Sequence, residues 1–409
     1  MLGKQNTQVA IIGAGPSGSI AAALLNKHNI DCIVLEKSTF PRFSIGESLL
    51  PACMGFIKEA GLLEAVLAAD FQFKNGAAFH KNGRSSHFDF TDKYTEGAGT
   101  TFQVQRGKFD KVLADAAQKQ GVKIRYRHEL LSLDLSNKPL LTVADENQQQ
   151  YQIEADYILD ASGFARALPR LLDLEEPSTL PPRKAIFTHI EDNISDQHFD
   201  RNKILISVHP DDSEVWYWLI PFSNGNCSFG VVAKESFFEH YPDDNIQALK
   251  QLAMEEIRLA IILREAQFPN PSGEILGYSA NVKQLCSDKF ALLGNAGEFL
   301  DPVFSSGVTI AMKSAQLASH LLVEKFAGKE VNWQQQYAQE LMVGVDAFRC
   351  YVEGWYNGQF QEVVLQENPN AKIKQMICSI LAGYAWDKNN PFVTQPQRRL
   401  QTVFELCKP

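Results

Sequence analysis

Four groups of residues in this chain of 409 have the types and spacing for chemistry. The first is Gly13-Ala14-Gly15-Pro16-Ser17-Gly18, a G-x-G-x-x-G run. Residues 8–12 before it read as a buried strand, and residues 19–26 after it, rich in Ala and Leu, read as a helix. In that setting Gly13 permits the tight turn, Gly15 lets backbone approach a pyrophosphate, and Gly18 lets the helix pack on the strand. The phosphates then meet the free N–H groups and positive dipole of a helix start. Residues 32–35 read as a second strand ending in Glu36, whose carboxylate accepts from ribose hydroxyls and favours a dinucleotide without a 2′-phosphate. The second group is Trp216 and Trp218, two apart on an extended stretch and so on one face. They make a broad apolar wall, or else ordinary sheet packing. The third is Asp301-Pro302 with Phe304-Ser305-Ser306-Gly307-Val308, ahead of a helix that reads from about Thr309; N–H groups at such a turn suit a small anion. The fourth is Lys74, flanked by Phe71, Phe73 and Phe79. Burial there would lower its pKa and fit it for proton transfer or nucleophilic work; the alternative is a solvated lysine at a hairpin mouth.

The elements that must position these groups are legible in outline. Residues 71–97 read as a hairpin about Asn82-Gly83. Residues 203–209, 215–221 and 228–233 read as an antiparallel meander. Val104 to Asp110 opens a helix that runs to about Gln120. Residues 157–160 form a strand ending in Asp160-Ala161-Ser162-Gly163, and residues 290–293 a strand ending in Gly294-Asn295. From about Ser314 the chain reads as mostly helical, and Phe348, Tyr351 and Trp355 recur at helical spacing, either to cap a pocket or to pack. The length suits two lobes, or one domain with a large insert. A 45% hydrophobic content supports a full core, and a net charge of −9 argues against nucleic-acid or anionic-membrane partners. Seven cysteines without a C-x-x-C pair argue against zinc and against a disulfide framework, and fit a reducing cytoplasm. The first residues run almost at once into a strand, with no room for a signal peptide. The longest apolar stretch, 376–386, is too short to span a bilayer.

Residues 216–221 also read W-x-W-x-I-P, and residues 299–307 read F-x-x-P-x-x-S-x-G. Behind the dinucleotide motif, these two stretches resemble the flavin-dependent halogenases, a branch of the p-hydroxybenzoate-hydroxylase-like flavoproteins. Further matches are P-R-x-x-x-G-E-S-x-x-P from Pro41, V-x-R-x-x-F-D from Val104, D-A-S-G from Asp160, and F-x-x-K-x-G-A-x-F from Phe71. The resemblance implies an α/β fold: a Rossmann-type FAD/NAD(P)-binding domain, an inserted antiparallel-sheet substrate domain and a helical C-terminal part. Residues 1–70, 98–180 and 275–325 would form the discontinuous FAD domain, 71–97 and 181–274 the substrate domain, and 326–409 the helical part.

The same resemblance assigns FAD to Gly13, Gly15, Pro16, Ser17, Gly18, Glu36 and Lys37, and to the segment carrying Arg42, Ile45, Gly46, Glu47 and Ser48. It adds Arg106, Asp160, Gly163, Gly294 and Asn295, and from the third group Pro302, Ser306, Gly307 and Val308. It places a halide at Ser306 and Gly307, gives Lys74 the oxidised halogen, and has Trp216 and Trp218 part the flavin from the substrate. No metal is implied. The implied activity is halogenation of an electron-rich aromatic, free or tethered to a carrier protein, with reduced FAD from a separate reductase. Two departures stand out. Asn295 occupies the place of the usual Asp. Phe304 stands where tryptophan halogenases carry a Glu, which points toward phenol- or pyrrole-like substrates. Rival readings are a reductase or dehydrogenase of the geranylgeranyl-reductase type, a single-component aromatic monooxygenase, and a flavin-binding protein without turnover.

Overall fold

The computed structural model describes residues 3–195, 197 and 199–407. A strand over Lys4–Ile12 lies at the centre of the first sheet, between Cys32–Glu36 and Gln150–Asp160, both parallel to it. Lys123–Tyr126 extends the parallel set beyond Cys32–Glu36. Gln150–Asp160 is long enough to serve two partners on its other edge. Its first half pairs antiparallel with Leu140–Ala144, itself paired to Glu129–Asp134, and its last residues pair parallel with Phe290–Leu292. Val9 and Ile11 enter one core, Ala10 and Ile12 another. Burial on both faces explains why the end of this strand, residues 9–12, is apolar without polar alternation.

The first helix, Pro16–Lys27, starts three residues earlier than the expected 19–26. Gly15 is extended and caps it, and Pro16 takes the first helical position, where its fixed φ is pre-organised and its missing N–H costs nothing. The second half of the glycine motif is therefore already helix. The same holds at the far turn: the helix Ser306–Phe326 begins at Ser306 rather than near Thr309, after Ser305 in the left-handed region (φ 55°).

The second sheet runs in the order Gly273–Leu276, Lys184–Glu191, Asn226–Ala233, Trp216–Pro221, Lys203–Val208, Gly76–Lys81, Arg84–Asp89. The hairpin about Asn82-Gly83 is present, with Lys81 opposite Arg84 and both turn residues at positive φ (48° and 79°). The meander is present too. One junction differs from a simple meander: Lys203–Val208 lies parallel to Gly76–Lys81. Trp216, Trp218 and Ile220 face the core shared with the first sheet, whereas Tyr217 and Leu219 face a separate core under Asn245–Glu255 and Ile257–Ile262. After Ser306–Phe326 the chain is helical, including Glu340–Tyr356, Ala371–Leu381 and Pro396–Cys407. All seven cysteines are free. Among the described residues no helix is long and apolar enough to cross a membrane, and no group of His, Cys, Asp and Glu is arranged to hold a metal.

Candidate active site

One cavity of about 380 Å³ extends from the glycine turn to the two indoles, a size suited to small-molecule ligands. Its first end is made by backbone. Gly13 has φ 99°, and a Cβ there would lie 2.5 Å from the Ala161 carbonyl oxygen; a Cβ on Gly18 would lie 1.9 Å from the Gly13 oxygen. Only glycine fits either place. Gly13, Gly15, Pro16 and Ser17 line the cavity, and Gly18 works from behind as a packing contact. Buried Glu36 accepts from the Ala14 and Ser38 N–H groups, each at 2.9 Å. The guanidinium of Arg42 lies 3.7 Å from Glu36 and 3.6 Å from Asp110. Asp110, fully buried, receives two bonds from Arg106 at 2.8 and 3.1 Å, and Arg106 donates a third to the Ile45 oxygen at 2.6 Å. Arg106 thus fixes the strap carrying Ile45, Gly46, Glu47 and Ser48, all of which line the cavity. Lys37 lines it as well and pairs with Glu129.

The other end is made by side chains. Trp216 and Trp218 line the cavity with ring centroids 5.9 Å apart. The Trp218 indole lies over Gly230, where a Cβ would stand 2.2 Å from the ring, and its N–H donates to the Ser228 hydroxyl at 3.0 Å. The Trp216 N–H donates to the Tyr356 hydroxyl at 2.9 Å. Tyr356 in turn donates to Asp301 Oδ2 at 2.8 Å, Tyr278 donates to the same oxygen at 3.1 Å, and the Val303 N–H donates to Oδ1 at 3.0 Å. Burial pushes the Asp301 carboxyl above its ordinary range, against the pull of these donors and of Arg183. The Arg183 guanidinium sits 3.4 Å from the Tyr356 ring centroid. A single carboxylate therefore ties the wall indole to the turn after it. From that turn Pro302, Ser305, Gly307 and Val308 reach the cavity; Ser306 is buried beside it.

Lys74 lies outside the cavity wall, one hydroxyl away. It ends the strand Gln72–Lys74, paired with Thr101–Gln103, and is fully buried. Its ammonium donates to Ser48 Oγ at 2.7 Å and to the Leu49 oxygen at 2.8 Å. Ser48 lines the cavity. Burial pulls the Lys74 pKa down to about 7, with the Cys53 thiol opposing weakly. The solvated-lysine alternative is thereby removed.

The remaining sequence candidates divide. Gly163 and Asn295 line the cavity, whereas Asp160 and Gly294 do not. The Asp160 carboxylate receives the N–H groups of Ser162 (2.9 Å) and Leu168 (2.7 Å), so it holds the loop that carries Gly163. Phe348, Tyr351 and Trp355 are fully buried and pack against Trp386, Phe360 and Phe79, clear of the cavity. Sequence reasoning missed Phe187 and Tyr278 on the wall, and Arg183, His189 and Tyr356 behind it. Tyr356 follows directly on the aromatic series of its own helix, which was its one local signal. The others carry none.

A turn with no room for a Cβ, a buried acid beside it, and an apolar cavity walled by indoles fit a flavin dinucleotide. The family model for an FAD binding domain matches residues 6–340. A 1H-pyrrole-2-carbonyl-[peptidyl-carrier protein] chlorinase from Pseudomonas fluorescens is 30% identical over 374 residues, covering 85% of this chain and 81% of its own. The crystal structure of a flavoprotein/dehydrogenase from Cytophaga hutchinsonii is 42% identical, with TM-score 0.95 over 98% of this chain and 99% of that one. The flavin-dependent brominase Bmp2 shares the fold at 22% identity, with TM-score 0.85 over 99% of this chain and all of its own. FAD is the cofactor, and the chain belongs to the flavin-dependent halogenase family of FAD-dependent oxidoreductases.

Proposed function

We propose that this protein halogenates a phenol- or pyrrole-like ring, using halide, oxygen and reduced FAD. Bound FAD supplies the electrons that activate oxygen. The glycine turn and Glu36 hold its dinucleotide part, Arg42 and the strap fixed by Arg106 cover it, and Gly163, Asn295 and Pro302 flank it. The backbone N–H groups of Ser306 and Gly307, at the start of a 21-residue helix, hold the halide. Trp216 and Trp218 keep the organic substrate away from the flavin. Lys74 hydrogen-bonds or carries the oxidised halogen; an amine titrating at about 7 can both give and accept a proton near neutrality. Phe304, buried against Trp355 and Phe360, supports a substrate that needs no carboxylate at that place. A carrier-tethered pyrrole is the substrate class in the name of the Pseudomonas relative, and we extend it to this chain. A separate reductase supplies the reduced flavin.

The observation that carries this reading is a fully buried lysine one hydroxyl from a cavity walled by two indoles. Reduced enzyme mixed with oxygen, bromide and monochlorodimedone should halogenate that reporter. A sound flavin spectrum with no product sinks the reading. A dehydrogenase is the second reading, favoured by the 42% identical Cytophaga protein. Lys74→Ala separates the two: it abolishes halogenation but barely changes a hydride transfer.

A further inference from the structure

Glu47 has a feature that holding a cofactor strap does not require. It is 2% exposed, and its Oε1 lies 2.8 Å from His189 Nε2, while its Oε2 is buried with no hydrogen-bond partner among the described residues. A buried carboxylate oxygen without a donor is costly, so a site that keeps one implies an occupant or a use. Glu47 lines the cavity and His189 does not. The His189 side chain is 23% exposed, on the strand Lys184–Glu191 between Phe43 and Phe222. The pair thus spans from solvent to the cavity. The other charged groups at this place are Arg106, whose Nη1 lies 3.0 Å from where a Gly46 Cβ would stand, and Lys74, joined to Ser48.

We propose that His189 and Glu47 form a proton relay from solvent to the flavin cavity. The inference rests on the oxygen-using reading above. Its overall balance is FADH⁻ + O₂ + X⁻ + 2H⁺ → FAD + HOX + H₂O. The halide and reduced flavin are oxidised, oxygen is reduced, and the protons come from water. His189 takes a proton from solvent at one nitrogen and passes one to Glu47 Oε1. The carboxyl then turns about its Cγ–Cδ bond, brings that proton to the cavity side in the place of Oε2, and releases it there. Burial disfavours the imidazolium, but the hydrogen bond and charge of Glu47 outweigh it and raise the His189 pKa above its ordinary value. Glu47 thereby favours the protonated form of the imidazole.

The test is proton uptake, followed with an indicator dye, when the reduced FAD-bound protein meets oxygen. His189→Asn should slow uptake and turnover about a hundredfold near neutral pH while FAD affinity by fluorescence stays within about twofold. The loss should shrink at lower pH and be partly restored by added imidazole. Independently of activity, the NMR titration of His189 in the flavin-free protein should fall in Glu47→Gln. Unchanged proton uptake in His189→Asn, or a loss explained wholly by weaker FAD binding, overturns the relay. A wild-type protein that takes up protons with oxygen yet yields no halogenated product defeats the halogenase reading and leaves the relay standing.

Discussion

The two ends of the cavity are built by opposite means. At the glycine turn, contiguous residues shape backbone, and the space left by absent Cβ atoms is the binding feature. At the indole end, side chains from distant segments converge: Trp216 and Trp218, Tyr278, Asp301, Tyr356 and, behind Ser48, Lys74. A backbone site fails through a single atom in the wrong place, whereas a convergent site fails through loss of the one group that does its chemistry and is only loosened by loss of a supporting hydrogen bond.

The largest expected effect falls at the convergent end. Lys74→Met should lower halogenation by about a thousandfold with FAD still bound, read as product formed against flavin absorbance. The same variant tests the cost of burying the amine. In the unfolded chain Lys74 titrates at its ordinary 10.5 and in the folded protein at about 7, so the unfolded state binds more protons between those values. Wild-type stability should therefore rise with pH across that window and carry the full cost of the buried ammonium below about 7. Urea midpoints measured across the window should slope upward in wild type and lose that contribution in Lys74→Met.

Next is Gly18→Ala, which forces a methyl to 1.9 Å from the Gly13 oxygen. Overpacking of about 3 kcal/mol should weaken FAD about a hundredfold by fluorescence titration, with a fall in Tm. Retained FAD affinity would show the backbone end to be more tolerant than its geometry implies. Tyr356→Phe sharpens the contrast, because it removes the hydroxyl joining Trp216 to Asp301 and inserts nothing. A loss of about 1–3 kcal/mol in stability is expected, with a raised halide KM and little change in FAD affinity. The smallest effect belongs to Asn295→Asp, which puts a carboxylate in place of an amide on the cavity wall: FAD affinity should change by about threefold, under 1 kcal/mol, by the same titration.

Legibility in the sequence followed the same division. The glycine motif with its flanking strand and helix, the acid at Glu36 and the Asn82-Gly83 hairpin were readable because each is settled within a few residues of chain. The shared face of Trp216 and Trp218 followed from the two-residue period of a strand. The helix starts were read three residues late at both turns, because Gly15 and Ser305 end their loops sooner than apolar periodicity reveals. The parallel pairing of Lys203–Val208 with Gly76–Lys81 left no trace, since it joins segments more than a hundred residues apart. Arg183 and His189 were missed for the same reason. Lys74 was readable as a motif but not as a buried group: its 0% exposure depends on strands and side chains supplied from elsewhere.

By itself, then, the sequence determined the local devices: a dinucleotide turn, an indole pair on one strand face, a turn before a long helix, and a lysine among aromatics. Tertiary structure alone decided what each device meets. It put Ser48 between the lysine and the cavity, hung Trp216 on Asp301 through Tyr356, and set His189 against Glu47. The physical reason is range. Backbone sterics and side-chain periodicity act within a few residues, whereas burial and hydrogen-bond partnership are properties of the packed whole.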